Sequence, residues 1–259
     1  MNAHLHVDKQ ATGIVTITFN RPEARNALNL ATMHAFAETA QELTGDSAVR
    51  VVVLTGAGHE AFCSGGDLYE LSQYPSERDA LDFITLMGDA LRTLELLQVP
   101  VIAAVNGYAL GGGSEIAVAC DLRVVDESVK IGFVQVQLAL TPGWGAGQRL
   151  LRLVGYARAM EILLTGRVLH APELESLGLT NRVVEAGMSL AHAQELAAMI
   201  ASNPPDVVRA IKQLLRGGME KPYEEALALE RCLFPPLWAA EPHLNAVKQF
   251  LNRKPTREE

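Results

Sequence analysis

Two glycine-rich segments in this chain have residue types that can hold a negatively charged oxygen. They are 62–68 (FCSGGDL) and 107–115 (GYALGGGSE), and each lies between an apolar run and a helical pattern. Glycines let a ligand approach bare N–H groups, and a helix N-terminus adds partial positive charge. One N–H from each segment can polarise a single carbonyl oxygen as its charge grows. The alternative is two ordinary strand-to-helix turns, in which Asp67 only caps a helix and Cys63 only packs as a small apolar side chain.

Other chemical signals in the sequence are weaker. Ser64 and Ser114 lie near glycines, but neither forms a GxSxG nucleophile elbow, so covalent acyl transfer is a weak alternative. The seven histidines form no HExxH pair, and no metal is predicted. The segment 143–147 (GWGAG) lacks the full GxGxxG register and no Lys-Ser/Thr follows the glycines of 107–115, so we expect no nicotinamide cofactor and no phosphate-binding loop.

The composition indicates a globular protein without a general affinity for polyanions. The chain has 259 residues, 49% of them hydrophobic, and a net charge of -8. Such a charge favours neither nucleic acid nor an anionic membrane surface. Three widely spaced cysteines without CxxC spacing argue against a disulfide framework. Together with the lack of a signal-like or membrane-spanning apolar stretch, this predicts a cytoplasmic location.

Apolar periodicity predicts strands and helices in alternation, followed by helices alone. Strands are predicted at 13–19, 50–55, 99–105, 122–125 and 130–133, and helices at 30–43, 79–97, 114–120, 157–164 and 172–177. Strand signals fade after Val184, and prolines mark helix starts near 204, 222 and 242. We therefore predict an α/β core over 1–195 and a helical region over 196–259.

Five segments in this order make the chain resemble the enoyl-CoA hydratase/isomerase, or crotonase, superfamily. They are 21–28 (RPEARNAL), 64–68, 107–121, Pro142-Gly143 with Gln148-Arg149-Leu150, and 171–184. The resemblance implies a core of ββα turns wound into a spiral, then a C-terminal helical oligomerisation region that assembles a homotrimer or a dimer of trimers. It also implies an acyl-CoA thioester substrate, with coenzyme A as part of the substrate and no separate cofactor.

The resemblance also implies a set of site residues. The N–H groups of Gly66 and Gly112 would form the oxyanion hole, and Glu115 matches one of the family's two catalytic glutamates. Coenzyme A would contact the segments that contain Arg25, Ala27, Ser64, Asp67 and Leu68. Phe250, Arg253 and Lys254 near the C-terminus are candidates for the adenine end or the 3′-phosphate, but a solvated tail is the favoured interpretation and they are not counted among the site residues.

The chain departs from the family pattern at Gln135, where a hydratase has its second catalytic glutamate. A carboxamide orients a water molecule but exchanges no proton near neutral pH, so two-glutamate hydration would be impaired. As alternatives, Gln135 would be a polar residue alternating along a half-exposed strand at 133–138, and Glu115 a carboxylate favoured by a helix N-terminus.

These features favour an enolate-forming reaction that needs fewer proton transfers. Decarboxylation of a short malonyl-type thioester fits, with Glu115 protonated or on the face opposite the substrate carboxylate. The segments 133–145 and 204–212 resemble the ethylmalonyl- and methylmalonyl-CoA decarboxylases of this superfamily, and Trp144 would either wall a small acyl pocket or contact another subunit. Enoyl-CoA hydration or isomerisation and non-catalytic acyl-CoA binding are the alternatives.

Overall fold

The computed structural model describes residues 4–252. The chain divides into two compact units, and the boundary along the sequence lies between Ala201 and Ser202. The boundary predicted at 195 falls inside the last helix of the first unit, Ser189–Ala201.

A six-stranded sheet forms one layer of the first unit. Its strands are β1 (Leu5–Lys9), β2 (Ile14–Phe19), β3 (Val51–Gly56), β5 (Val101–Val105), β7 (Leu122–Asp126) and β10 (Arg182–Val184), in the order β1-β2-β3-β5-β7-β10. Only the β1–β2 pair is antiparallel. Every residue of β3 and β5 is buried, as is typical of parallel strands covered on both faces. The predicted strands match β2, β3, β5 and β7, whereas β1 went unpredicted because four of its five residues are exposed.

A second sheet brings the two glycine-rich segments together. It contains β4 (Ala61–Cys63), β6 (Tyr108–Leu110), β8 (Lys130–Gly132) and β9 (Val168–His170), in that order. The parallel pairing of β4 with β6 places Cys63 opposite Ala109. Each of these strands has three residues, which is too short for a periodic sequence signal, and only β8 was predicted.

Eight α-helices complete the first unit between residues 4 and 201. They are α1 (Leu30–Gly45), α2 (Leu68–Leu71), α3 (Glu77–Leu96), α4 (Gly112–Ala119), α5 (Ala146–Val154), α6 (Tyr156–Thr165), α7 (Ala171–Ser176) and α8 (Ser189–Ala201). Asn29 caps α1, and Ser76 with Asp79 forms a capping box on α3, which explains where these helices begin. The alternative of a half-exposed strand at 133–138 is wrong. Val134–Leu138 forms a 3-10 helix, which ends at Ala139 in a left-handed conformation.

Between residues 202 and 252 the second unit consists of α9 (Pro205–Glu220), α10 (Tyr223–Trp238) and α11 (Glu241–Asn252), which confirms the prediction of helices alone for this range. Prolines stand at or next to the start of each helix, where a missing N–H costs nothing. Large apolar side chains are exposed along them, among them Ile211, Leu215, Phe234, Trp238 and Phe250. The assembly of this chain into trimers stays a prediction.

Residues 4–252 contain neither a candidate membrane span nor a candidate metal cluster. No helix in that range is both long and apolar enough to cross a bilayer. Nor does that part of the chain contain a cluster of three or more His, Cys, Asp or Glu residues placed to hold a metal ion.

Candidate active site

The two glycine segments lie against each other where β4 and β6 end. Gly65 has a φ of 98°, and a Cβ there would lie 2.9 Å from the Gly112 nitrogen. At Gly113 a Cβ would collide with the Cys63 carbonyl oxygen. Glycine is therefore required at both positions, because the backbones approach more closely than a side chain allows.

The N–H groups predicted to form the oxyanion hole are available. Leu28 pairs with the loop that contains Gly66: its N–H donates to Gly65 O at 2.8 Å, and its carbonyl accepts from Asp67 N at 2.9 Å. This pairing does not use the Gly66 N–H. Gly112 is the first residue of α4, so its N–H has no acceptor within the helix. Within residues 4–252 neither N–H donates a hydrogen bond. Two such donors in adjacent loops are what a developing oxyanion requires.

Arg21 and Asp67 hold the first loop in place. Arg21 Nη1 donates to Asp67 Oδ2 and to Ala27 O, both at 2.8 Å. Asp67 also caps α2 by accepting from Tyr69 N and Glu70 N, as the sequence indicated. Burial alone would raise the pKa of Asp67, but the hydrogen bonds from Arg21 and the two amides are together stronger, and the pKa is lowered. Its carboxylate is thus engaged in shaping the loop.

The segments predicted to contact coenzyme A lie side by side. Ser64 N donates to Arg25 O at 3.1 Å, and Ala27 is buried. Arg25 is exposed, pairs with Glu60 at 2.6 Å and lies over the Tyr108 ring, while Leu68 is 56% exposed. Their role towards a coenzyme A moiety stays a prediction. Phe250 lies in α11, and Arg253 and Lys254 lie outside the described residues.

Glu115 is buried and accepts four hydrogen bonds. Gln135 Nε2 at 2.9 Å and Gly143 N at 3.2 Å donate to Oε1, whereas Trp144 N at 2.7 Å and Ala146 N at 3.0 Å donate to Oε2. Burial raises the pKa of this carboxyl, and the four hydrogen bonds act in the opposite direction. The carboxylate therefore bonds to the segment before α5 instead of serving the N-terminus of its own helix.

Gln135 is buried beside Glu115 with one amide atom unsatisfied. Its Nε2 donates to Glu115, and among residues 4–252 its Oε1 has no hydrogen-bond partner. A carboxylate only accepts, so an ionised Glu115 fixes this amide with its oxygen on the other side. A buried carbonyl oxygen without a partner is costly unless a water molecule or ligand donates to it.

Trp144 is buried within its own unit, with 6% of its surface exposed. A Cβ at Gly112 would overlap indole Cζ3 and lie 2.5 Å from Cη2 and 2.8 Å from Cε3, so the ring packs against Gly112. This tryptophan touches a residue of the predicted oxyanion hole and offers little surface to another subunit.

Cys63 is not a nucleophile in this site. It is fully buried and unpaired, and burial raises the pKa of its thiol to about 12. A thiol that stays protonated at neutral pH neither attacks a thioester nor transfers protons. This supports its interpretation as a small packing residue.

Sequence reasoning missed four residues around the site. Arg21 and Asn26 lie in segment 21–28, but no feature of that segment shows that Arg21 reaches Asp67. Nor does it show that the Asn26 side chain donates to Ala57 O and Ala61 O from a backbone with a φ of 57°. Gly143 and Ala146 act through backbone N–H groups, which any residue except proline provides. The Pro142-Gly143 motif was the one available signal.

With this geometry established, comparison with known proteins identifies the class. The family model for enoyl-CoA hydratase/isomerase matches residues 9–257. A short-chain-enoyl-CoA hydratase of Clostridium acetobutylicum is 39% identical over 241 residues, covering 93% of this chain and 92% of the relative. A putative enoyl-CoA hydratase/isomerase of Bacillus subtilis is 41% identical over 83% of this chain and 82% of its own.

Solved structures agree with the sequence comparison. The enoyl-CoA hydratase of Bacillus anthracis superposes with a TM-score of 0.91 at 35% identity, covering 97% of both chains. The enoyl-CoA hydratase of Mycobacterium smegmatis gives 0.92 at 31% identity over 98% of both. This chain belongs to the enoyl-CoA hydratase/isomerase family and has the crotonase fold, which confirms the fold predicted from its motifs.

Proposed function

We propose that this protein acts on a short acyl-CoA thioester whose enolate is held by the N–H groups of Gly66 and Gly112, and that it hydrates a 2-enoyl-CoA or carries out the reverse dehydration. The observation that carries the proposal is the pair of unbonded N–H groups in adjacent loops. The names of the relatives, which are hydratases or hydratase/isomerases, support this substrate class.

Gln135 favours hydration over the decarboxylation expected from the sequence. Its free amide atom is the oxygen, which accepts a hydrogen bond from water or from a substrate hydroxyl. A malonyl-type carboxylate has no proton to donate to that oxygen, and an ionised Glu115 would repel it. The position thus suits a neutral donor.

Glu115 is the carboxylate beside Gln135 and would carry the proton, whereas the carboxylate of Asp67 is engaged by Arg21 and the first amides of α2. The water oxygen bonds to the β-carbon while its proton passes to Glu115, and the electrons of the double bond move to the thioester oxygen. Glu115 then returns the proton to the α-carbon as the enolate collapses. Three of its donors are backbone groups, so rotation of the Gln135 side chain is what frees a lone pair on Oε1.

Decarboxylation is the second candidate, because one observation favours it. Gln135 replaces the second proton-transfer group, and loss of CO₂ forms an enolate without an initial base. Crotonyl-CoA and methylmalonyl-CoA separate the two reactions. We expect slow hydration of crotonyl-CoA, since a missing acid-base group typically costs about 10²–10⁴-fold. Release of CO₂ from methylmalonyl-CoA without crotonyl-CoA hydration would reverse the assignment.

The oxyanion hole has a matched pair of variants at Gly66. A Cβ there meets only the flexible end of Leu71, at 2.7 Å from Cδ1, and Met33 Cε at 3.6 Å. Gly66→Ala keeps the N–H, whereas Gly66→Pro removes it. We expect Ala to retain turnover within a few-fold and Pro to lose about 10²–10³-fold in kcat, the usual cost of one such donor. Equal activity of the two variants would remove Gly66 from the oxyanion hole.

A further inference from the structure

One carboxylate holds the segment between the 3-10 helix and α5. Glu115 accepts from the N–H groups of Gly143, Trp144 and Ala146, which lie 28 to 31 residues further along the chain. The Trp144 carbonyl in turn accepts from Arg149 Nη1 at 2.7 Å. With both its N–H and its C=O bonded, the backbone of Trp144 has little freedom to move.

The fixed backbone places the indole against Gly112. The ring is close enough that a Cβ on Gly112 would overlap it, and it packs among the buried residues of the core. Gly112 is also the residue whose N–H we assign to the thioester oxygen. If that N–H holds the thioester oxygen, the first atoms of the acyl chain, which starts at the carbon that bears this oxygen, would lie close to the indole.

We propose that Trp144 limits the length of the acyl group and that Glu115 is the positioning residue that seats its indole. This inference rests on the proposed function and deepens it, since it selects short acyl groups such as crotonyl over medium-chain ones. Because the indole is packed among core residues and the backbone that carries it is bonded through both its N–H and its C=O, the ring does not swing aside for a longer chain. Truncating Trp144 removes the barrier, and truncating Glu115 releases the segment that carries it.

Binding of unreactive thioesters tests the inference separately from the chemistry. Saturated butyryl-CoA and octanoyl-CoA have no double bond to hydrate, so calorimetric titration reports the chain-length preference directly. We expect the wild type to bind butyryl-CoA at least about ten-fold more tightly, which corresponds to about 1.4 kcal/mol. Trp144→Ala should shift the ratio of the two dissociation constants at least ten-fold towards octanoyl-CoA, while Trp144→Phe shifts it less.

Leu43→Ala is the control for general loosening of the core. Leu43 is a buried residue at the end of α1, so its truncation destabilises the protein. It should leave the ratio of dissociation constants unchanged. A shift with Leu43→Ala equal to that with Trp144→Ala would mean that lost stability, and not the indole, changes the preference.

The positioning role of Glu115 has a spectroscopic test. The chain has two tryptophans, so Trp238→Phe leaves Trp144 as the single indole emitter. In that background Glu115→Ala should move the emission of Trp144 to longer wavelength and shift the binding ratio as Trp144→Ala does, and Glu115→Gln should do both to a smaller extent. An unchanged spectrum and ratio would overturn the positioning role.

The outcomes separate the two proposals. If both thioesters bind equally well to the wild type, or if Trp144→Ala leaves the ratio unchanged, the inference about Trp144 is wrong while acyl-CoA binding stands. If neither thioester binds, the proposed function fails and the inference fails with it.

Discussion

Gly112→Ala tests whether the contact between Gly112 and Trp144 organises the site. The added Cβ would overlap indole Cζ3 and lie 2.5 Å from Cη2 and 2.8 Å from Cε3, whereas carbon atoms pack at about 3.5–4.0 Å, so the ring must retreat by about 1.5 Å. Gly112 does not have a positive φ, so an alanine backbone is unstrained there. The backbone of Trp144 is held by Glu115 and Arg149 and its ring is packed in the core, and overpacking of this kind costs about 1–3 kcal/mol.

The assays are urea unfolding and the initial rate of crotonyl-CoA hydration. We expect the free energy of unfolding to fall by about 1–3 kcal/mol and turnover to fall by at least about 10²-fold, because a displacement of about 1 Å already has that effect on a catalytic geometry. Gly147→Ala is the matched control. Gly147 lies in α5 with nothing within 4 Å of an added Cβ, so the same substitution should stabilise by about 0.5–1 kcal/mol.

A double-mutant cycle gives the refutation. Trp144→Leu provides space for the Cβ, so the combined variant should recover stability relative to the sum of the single changes, with a coupling energy of about 1–3 kcal/mol. If Gly112→Ala is as stable and active as the wild type, or if the two effects simply add, the indole does not press on Gly112 and the argument built on that contact is wrong.

Three further predictions concern the polar groups. Gln135→Glu should raise the rate of crotonyl-CoA hydration at least about ten-fold, since it restores a second proton-transfer group. Gln135→Met should lower that rate, because it removes the amide oxygen. No gain from glutamate would show that the surrounding geometry has also diverged from that of a hydratase. Burial raises the pKa of Glu115 in the folded state, so the folded protein holds this proton more tightly than the unfolded chain does. The stability of the wild type relative to Glu115→Gln should therefore fall as pH rises above about 4.3, the pKa of an exposed glutamate. A rise in relative stability over that range would contradict a raised pKa. Arg21→Met should lower the free energy of unfolding in urea by about 1–3 kcal/mol and should lower kcat/KM, because Arg21 holds the loop that contains Gly66. Arg25→Met breaks an exposed ion pair and should lower the free energy of unfolding by less than about 1 kcal/mol. Equal losses of stability and activity in the two variants would contradict the role of Arg21.

Elements with a long periodic pattern were predicted well, and short ones were not. The helices at 30–43 and 79–97 correspond to α1 and α3, because burial of one helix face leaves a pattern that several turns repeat. The three-residue strands β4, β6 and β9 leave no such pattern, although β4 and β6 align the two glycine segments. The strand considered around Gln135 failed because alternation over six residues does not exclude a 3-10 turn.

The sequence by itself determined the glycine loops, the family and the replacement of a carboxylate by Gln135, because these depend on residue types in a fixed local order. Only the tertiary structure decided what the polar groups do. It joins Glu115 to backbone amides 28 to 31 residues away and Arg21 to Asp67 across 46 residues, and it turns the Gln135 oxygen away from Glu115. Hydrogen bonds between distant segments depend on the path of the whole chain, and a backbone N–H leaves no mark in the sequence that would show which partner it finds.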